Sequence, residues 1–259
     1  MKSEFNFEKT VELYKKKFSN NKLFDQSILK IENHVESLKD WSEIISINDL
    51  KKLFLNKQKK NAMKIKKINL NSSKKWIIDK NSGNIHHSSK NFFSIHGVRV
   101  LGTQSREVAG KSWDQPLIKE KNINGGILGI IRKKINHIPY YLVDFKAEPG
   151  NLDGIQISPC LQATYSNINQ LHGGRKPYLS DIFLKPKKYG YKILFEQLMS
   201  EDGGRFYKKM NKGMLIECNK KNNIDLKDNF FWLSLYQIKY LIKKNSWVNP
   251  HVRSIISHL

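Results

Sequence analysis

With 259 residues, 39% of them hydrophobic, the chain can fill the core of one large domain and does not have a disordered composition. A formal net charge of +23 fits nucleic acid, an anionic membrane surface or a phosphate-bearing substrate, and fits equally the solvated face of a chain rich in Lys, Asn and Ile. Two cysteines, Cys160 and Cys218, exclude a disulfide framework, and no stretch nears the ~20 apolar residues of a membrane span. The start, "MKSEFNFEKTVELYKKKF", has no signal-peptide core, so the expectation is a soluble, reduced, cytoplasmic protein.

From Glu4 to about Lys60 there is neither Gly nor Pro. Apolar residues recur at helical spacing around Val11 and Tyr14, then Ile28, Ile31 and Val35, then Leu50, Leu53 and Phe54. This predicts two or three short Lys-rich helices in an N-terminal arm over residues 1–62. Beyond it the period changes. "WIID" and "FFSIHGVRVLG" read as strands, with "NSGN" as the turn after the first. "GGILGIIRKK" and "PYYLVDFKA", joined through "INHI", read as a hairpin, and "RFYKKMNKGMLIEC" as a further strand or strand pair. Ser234 with Gln237 spells a capping box, followed by the helical face Leu235, Ile238, Leu241 and Ile242. Asn249-Pro250 opens a last helix, with an N-cap and then Pro at the first helical position. The body is therefore α+β, with a mainly antiparallel sheet and helices toward its C-terminal end.

No glycine-rich phosphate loop, Gly-x-Ser-x-Gly elbow or His-Glu-x-x-His helix is present. His86 and His87 are adjacent and point to opposite faces of a strand, which makes a poor metal pair. What stands out is "KAEPGNLDGIQISPCLQATYSN" (residues 146–167), where carboxylates, amides and a Lys crowd together after the apolar run "YYLVDF".

Together with "SGNIHHSSKNFFSIHGVRV", "WDQPLI", "GGILGII", "SEDGGRFYKKMNKGMLIE", "FFWLSLYQIKYLIKKN" and "VNPHVRSIIS", this stretch resembles the NDP-hexose 2,3-dehydratase family of deoxysugar biosynthesis, from about Met63 to the C-terminus. The resemblance implies a Nudix-hydrolase-like α+β module over residues 63–259, with a mixed or antiparallel sheet and flanking helices. "ILFEQLMSEDGGRF" lacks the carboxylate spacing of a magnesium-binding Nudix box, so no metal is expected. The implied activity is loss of water from an NDP-4-keto-6-deoxyhexose, dTDP-linked in the usual case, with no redox cofactor because the ketone is already present. Familiar members carry two such modules; one module here implies a homodimer. A non-catalytic sugar-nucleotide binder and a basic nucleic-acid-binding protein are the competing readings.

Such an elimination needs a base at carbon 3, a donor for the enolate oxygen and an acid for the leaving hydroxyl. Glu148 is the first candidate for base or acid, with Lys146 two residues away to hold it ionised or to reach the enolate. His172 and Tyr165 are further acid–base candidates. Gln156, Gln162 and Asn167 offer amide forks to sugar hydroxyls or a base edge. Glu201 and Arg205 read as a pocket-wall pair. Arg205, Arg253 and Arg99 are conspicuous in a chain that prefers Lys, each suited to a diphosphate or to a structural ion pair. Trp76 and Trp113 can stack on a nucleobase or fill a core.

Overall fold

The computed structural model describes residues 6–19, 27–102, 112–121, 125–171, 173–219 and 222–259. The chain begins with three helices, α1 (Phe7–Phe18), α2 (Ile28–Leu38) and α3 (Ile47–Lys59). Their starts are set by side-chain caps: Asn6, Ser27 and Ser46 each accept from a backbone N–H three residues on. Then comes a four-stranded antiparallel sheet, β1 (Trp76–Ile78), β2 (Ile85–His87), β3 (Ser94–Leu101) and β4 (Ser112–Lys119), in sequential order.

The larger sheet holds β5 (Gly126–Ile135), β6 (Ile138–Ala147), β7 (Ile155–Pro159), β8 (Leu161–Thr164), β9 (Tyr191–Ser200), β10 (Met210–Cys218) and β11 (Phe230–Leu233). Helices α4 (Tyr165–Ile168) and α5 (Ser180–Leu184) follow β8, and α6 (Leu235–Ile242) and α7 (Pro250–Ile256) close the chain. The architecture is α+β, as expected, with a mixed large sheet: β10 lies parallel to β5 and antiparallel to β9. The capping box at Ser234 and the Asn249–Pro250 helix start are both present. Strand β9 has no counterpart in the sequence reading. It lies at the sheet edge, and its burial does not alternate cleanly, so it lacks a period-two signature.

The hairpin β5–β6 turns through Asn136 and His137, both at positive φ (48° and 67°), the two-residue turn whose twist suits paired strands. The two strands pair only near that turn, from Ile131–Leu142 to Ile135–Ile138. Beyond it they part, and β7–β8 enters the gap. β7 continues the ladder on β6, and β8 pairs with the first half of β5. Cys160 sits where the inserted chain passes from one to the other, its thiol donating to Gly129 O. Gly129 has no substitute here, because a Cβ would lie 2.3 Å from the Phe183 ring. Both cysteines are buried and free.

One face of the large sheet packs on α3, α6 and α7 through Leu50, Phe54, Ile238, Leu241, Val252 and Ile255; the other packs on α4 and α5 through Ile168 and Phe183. Among the described residues no helix is long and apolar enough to cross a membrane.

Helix α2 is fastened to the sheet by charge. The Arg132 guanidinium, 1% exposed, donates to Glu32 (2.7 Å), Glu36 (2.9 Å) and Glu217, and its Nε approaches Tyr141 Oη at 3.3 Å. Tyr141 in turn donates to Glu36 at 2.8 Å. Burial pushes the Glu36 carboxyl up to about 6 against the pull of Arg132. Replacing Arg132 by Met strands two buried carboxylates, so urea denaturation of Arg132→Met is expected to show a loss of about 3–5 kcal/mol. A loss below ~1 kcal/mol would mean that α2 is held by its apolar face alone.

Candidate active site

Where β5 and β6 part, the inserted strands bring polar groups from six elements to one hollow of about 200 Å³. The end of β6 supplies Lys146 and, just beyond it, Glu148; β8 supplies Gln162; α4 supplies Asn167. Glu201 follows β9, Lys209 and Asn211 stand at the start of β10, and His251 lies in the first turn of α7.

The groups are mutually oriented. Lys146 Nζ lies 3.1 Å from Glu148 Oε1, and Gln162 Nε2 donates to both Glu148 oxygens, at 3.0 and 3.3 Å. The Gln162 Oε1 atom is buried without a hydrogen-bond partner among the described residues. Across the hollow Asn211 donates to Glu201, whose Oε1 lies 3.8 Å from His251 Nε2. Burial holds the His251 imidazole below its ordinary 6.5; Glu201 and Glu148 pull the other way, and Lys209 and Lys146 add to the depression. His251 is therefore neutral at pH 7 and able to accept a proton. Below the hollow, burial raises Asp144 to about 6.

Five of the residues singled out from sequence meet here: Lys146, Glu148, Gln162, Asn167 and Glu201. Gln156 stands one layer behind. It neighbours Lys146 across β6–β7, donates to Ser246 O at 2.8 Å and accepts from Asn249 Nδ2 at 3.4 Å. Asn249 caps α7 by accepting from His251 N, so Gln156 braces the helix that carries the histidine. Tyr165 packs against the apolar cluster beneath α4 and does not line the hollow. Arg253 donates to Val248 O and Ile242 O, joining α6 to α7. Arg205 makes an exposed contact with Asp202, and Arg99 forms an exposed two-pronged pair with Asp114. Trp76 packs on His87, Phe92 and Phe93, and Trp113 donates to Gln115, both in the small sheet. His172 lies outside the described residues.

Four polar lining residues, Thr164, Lys209, Asn211 and His251, were not expected. His251 sits inside the "NPHVRS" helix start, where the cap and Arg253 drew attention, and nothing local in sequence says that α7 abuts β10. Among the described residues no group of three or more His, Cys, Asp or Glu could hold a metal ion.

A family model described as NDP-hexose 2,3-dehydratase matches residues 47–259. Curated relatives called dTDP-4-dehydro-6-deoxy-alpha-D-glucopyranose 2,3-dehydratase include one from Saccharopolyspora spinosa, 34% identical over 76% of this chain and 39% of its own. Others come from Amycolatopsis orientalis, 32% identical over 77% of this chain and 41% of its own, and Streptomyces violaceoruber, 34% identical over 71% and 40%. The chain thus spans about two fifths, 39–41%, of the length of the curated relatives it matches. Among solved structures it is similar to a C. elegans Ap4A hydrolase, 13% identical, with a TM-score of 0.31 over 51% of this chain and 93% of that one.

The electrostatics of the hollow have a direct readout. Removing the Glu201 charge takes away the strongest support for the imidazolium, so Glu201→Gln is expected to lower the His251 pKa further. Lys209→Met is expected to raise it. Proton NMR titration of the ring hydrogens checks both signs, and opposite shifts would mean that these two charges do not act on the ring in this way.

Proposed function

The chain belongs to the NDP-hexose 2,3-dehydratase family, and on that footing we propose that it eliminates water from an NDP-4-keto-6-deoxyhexose, dTDP-4-keto-6-deoxyglucose first among candidates, in the cytoplasm. The single observation that carries this reading is the hollow itself. A neutral histidine faces a Lys–Glu–Gln cluster across a space sized for one sugar ring, below the ~300–1,000 Å³ of sites that enclose larger ligands.

In this mechanism His251 takes the carbon-3 proton, acidified by the carbon-4 ketone. Glu201 stabilises the imidazolium that results. Lys146, held by Glu148, faces the enolate oxygen and neutralises its charge. The carbon 2–oxygen bond breaks as the carbon 2–carbon 3 double bond forms, and the imidazolium returns its proton to the departing hydroxide, which leaves as water. The enol then tautomerises to the 3,4-diketo-2,6-dideoxy sugar. Gln162 and Asn167 orient the ring hydroxyls. We further propose that two copies pair, as the two-module arrangement implied by the family resemblance suggests.

Incubation with the sugar nucleotide, trapping of the labile diketone by a reductant and mass spectrometry for loss of one water test the activity. His251→Gln is expected to lower kcat by about 10²–10⁴-fold, and Glu148→Gln, which acts only through Lys146, to lower it less. Wild-type kcat/KM is expected to fall at acid pH with a midpoint below 6.5, because protonated His251 cannot accept, and His251→Gln is expected to lose that limb. Ligand-induced stabilisation without product would identify a binder instead. Light scattering on the purified chain is expected to give the mass of two copies; a monomer at micromolar concentration would refute the pairing.

A further inference from the structure

The hollow takes a hexose and leaves the rest of a sugar nucleotide unhoused. A second, larger cavity of about 660 Å³ lies beside it, along the small sheet. The two share a wall. Glu120, which lines the larger cavity, pairs at 3.2 Å with Lys209, which lines the hollow, and both side chains are largely buried.

The floor of the larger cavity follows from the strand register. His86, Ser94 and Lys119 are cross-strand neighbours in one row over β2, β3 and β4, and therefore share a face. That face turns toward the large sheet, because further along β4 it carries buried Leu117 and Gln115, whose amide donates to Gly204 O. Lys90 and Lys121 stand at the sides. None of these three lysines pairs with a carboxylate among the described residues, whereas the cavity's acidic groups are engaged: Asp79 accepts from Ser82 and Asn81, and Glu120 holds Lys209. With Glu120 neutralised by Lys209, the three lysines outweigh the single charge of Asp79, and the result is a net cationic groove beside the sugar hollow.

We infer that this groove is the subsite for the nucleoside diphosphate, with Lys119 and Lys121 on the diphosphate and the nucleoside lying along the small sheet. The inference rests on the sugar-nucleotide reading above. It also gives the small sheet, which adds nothing to the hollow's lining, a task at the site. The Glu120–Lys209 pair then marks the point where the diphosphate meets carbon 1 of the sugar.

The test is calorimetric titration of the full chain with dTDP, UDP, GDP and inorganic pyrophosphate, for wild type, Lys119→Gln/Lys121→Gln and Glu148→Gln. The double variant exchanges exposed side chains, and its fold is checked by circular dichroism and Tm. At least one nucleoside diphosphate is expected to bind wild type more tightly than pyrophosphate does. Its Kd is expected to rise about tenfold or more in the double variant and stay within about twofold in Glu148→Gln. In turnover the double variant is expected to raise KM with kcat little changed. Unchanged affinity in the double variant would overturn the groove and leave the dehydratase reading intact. Pyrophosphate binding as tightly as every nucleotide, or no nucleotide binding by a wild type that still eliminates water, would overturn it as well. Nucleotide binding lost with the lysines in a wild type that yields no product would keep the groove and remove the dehydratase.

Discussion

The site depends on the parting of β5 and β6. A hairpin of two ten-residue strands could pair along its whole length; here the ladder stops at Ile131–Leu142. Backbone groups exposed by that parting must be satisfied, and β7–β8 satisfies them on both sides. The insertion sets Gln162 against Glu148 and Lys146, three residues that no single strand could bring together. Close fitting holds it in place: Gly129 yields to the Phe183 ring, and Cys160 fills the crossing point. A side chain larger than hydrogen at residue 129 would act on the site through the backbone that carries it.

Around that opening the electrostatics divide by purpose. The Arg132 cluster is deeply buried and saturated with partners, and it ties α2 to the sheet. The hollow's charges are partly exposed, with His251 Nε2 3.8 Å from Glu201 Oε1 and Lys146 paired with Glu148. Part of the net charge of +23 requires neither site, since the lysines of α1 all stand on its exposed face. The three lysines of the groove differ by converging on one cavity.

The sequence made local features legible because they are written locally. The capping box at Ser234, the Asn249–Pro250 start and the β5–β6 hairpin follow from a few adjacent residues. Lys146 and Glu148 stood out by their spacing at a strand end, and Gln162 by its amide in the same polar stretch. His251 and Lys209 could not be found this way. They reach the hollow through the packing of α7 and the register of β10 on β5, contacts between residues far apart in the chain. The arginines misled by rarity: Arg253 spends its guanidinium on backbone carbonyls, and Arg132, which the sequence reading passed over, organises the core.

The most direct test of the central claim is exchange of the carbon-3 hydrogen in heavy water. Wild type and the double variant Glu148→Gln/His251→Gln would be incubated with dTDP-4-keto-6-deoxyglucose, and the sugar followed by NMR. The account predicts that wild type releases the carbon-3 hydrogen and eliminates water, while the folded double variant does neither at a measurable rate. Exchange in the double variant at the wild-type rate would place the proton chemistry outside this hollow and contradict the account.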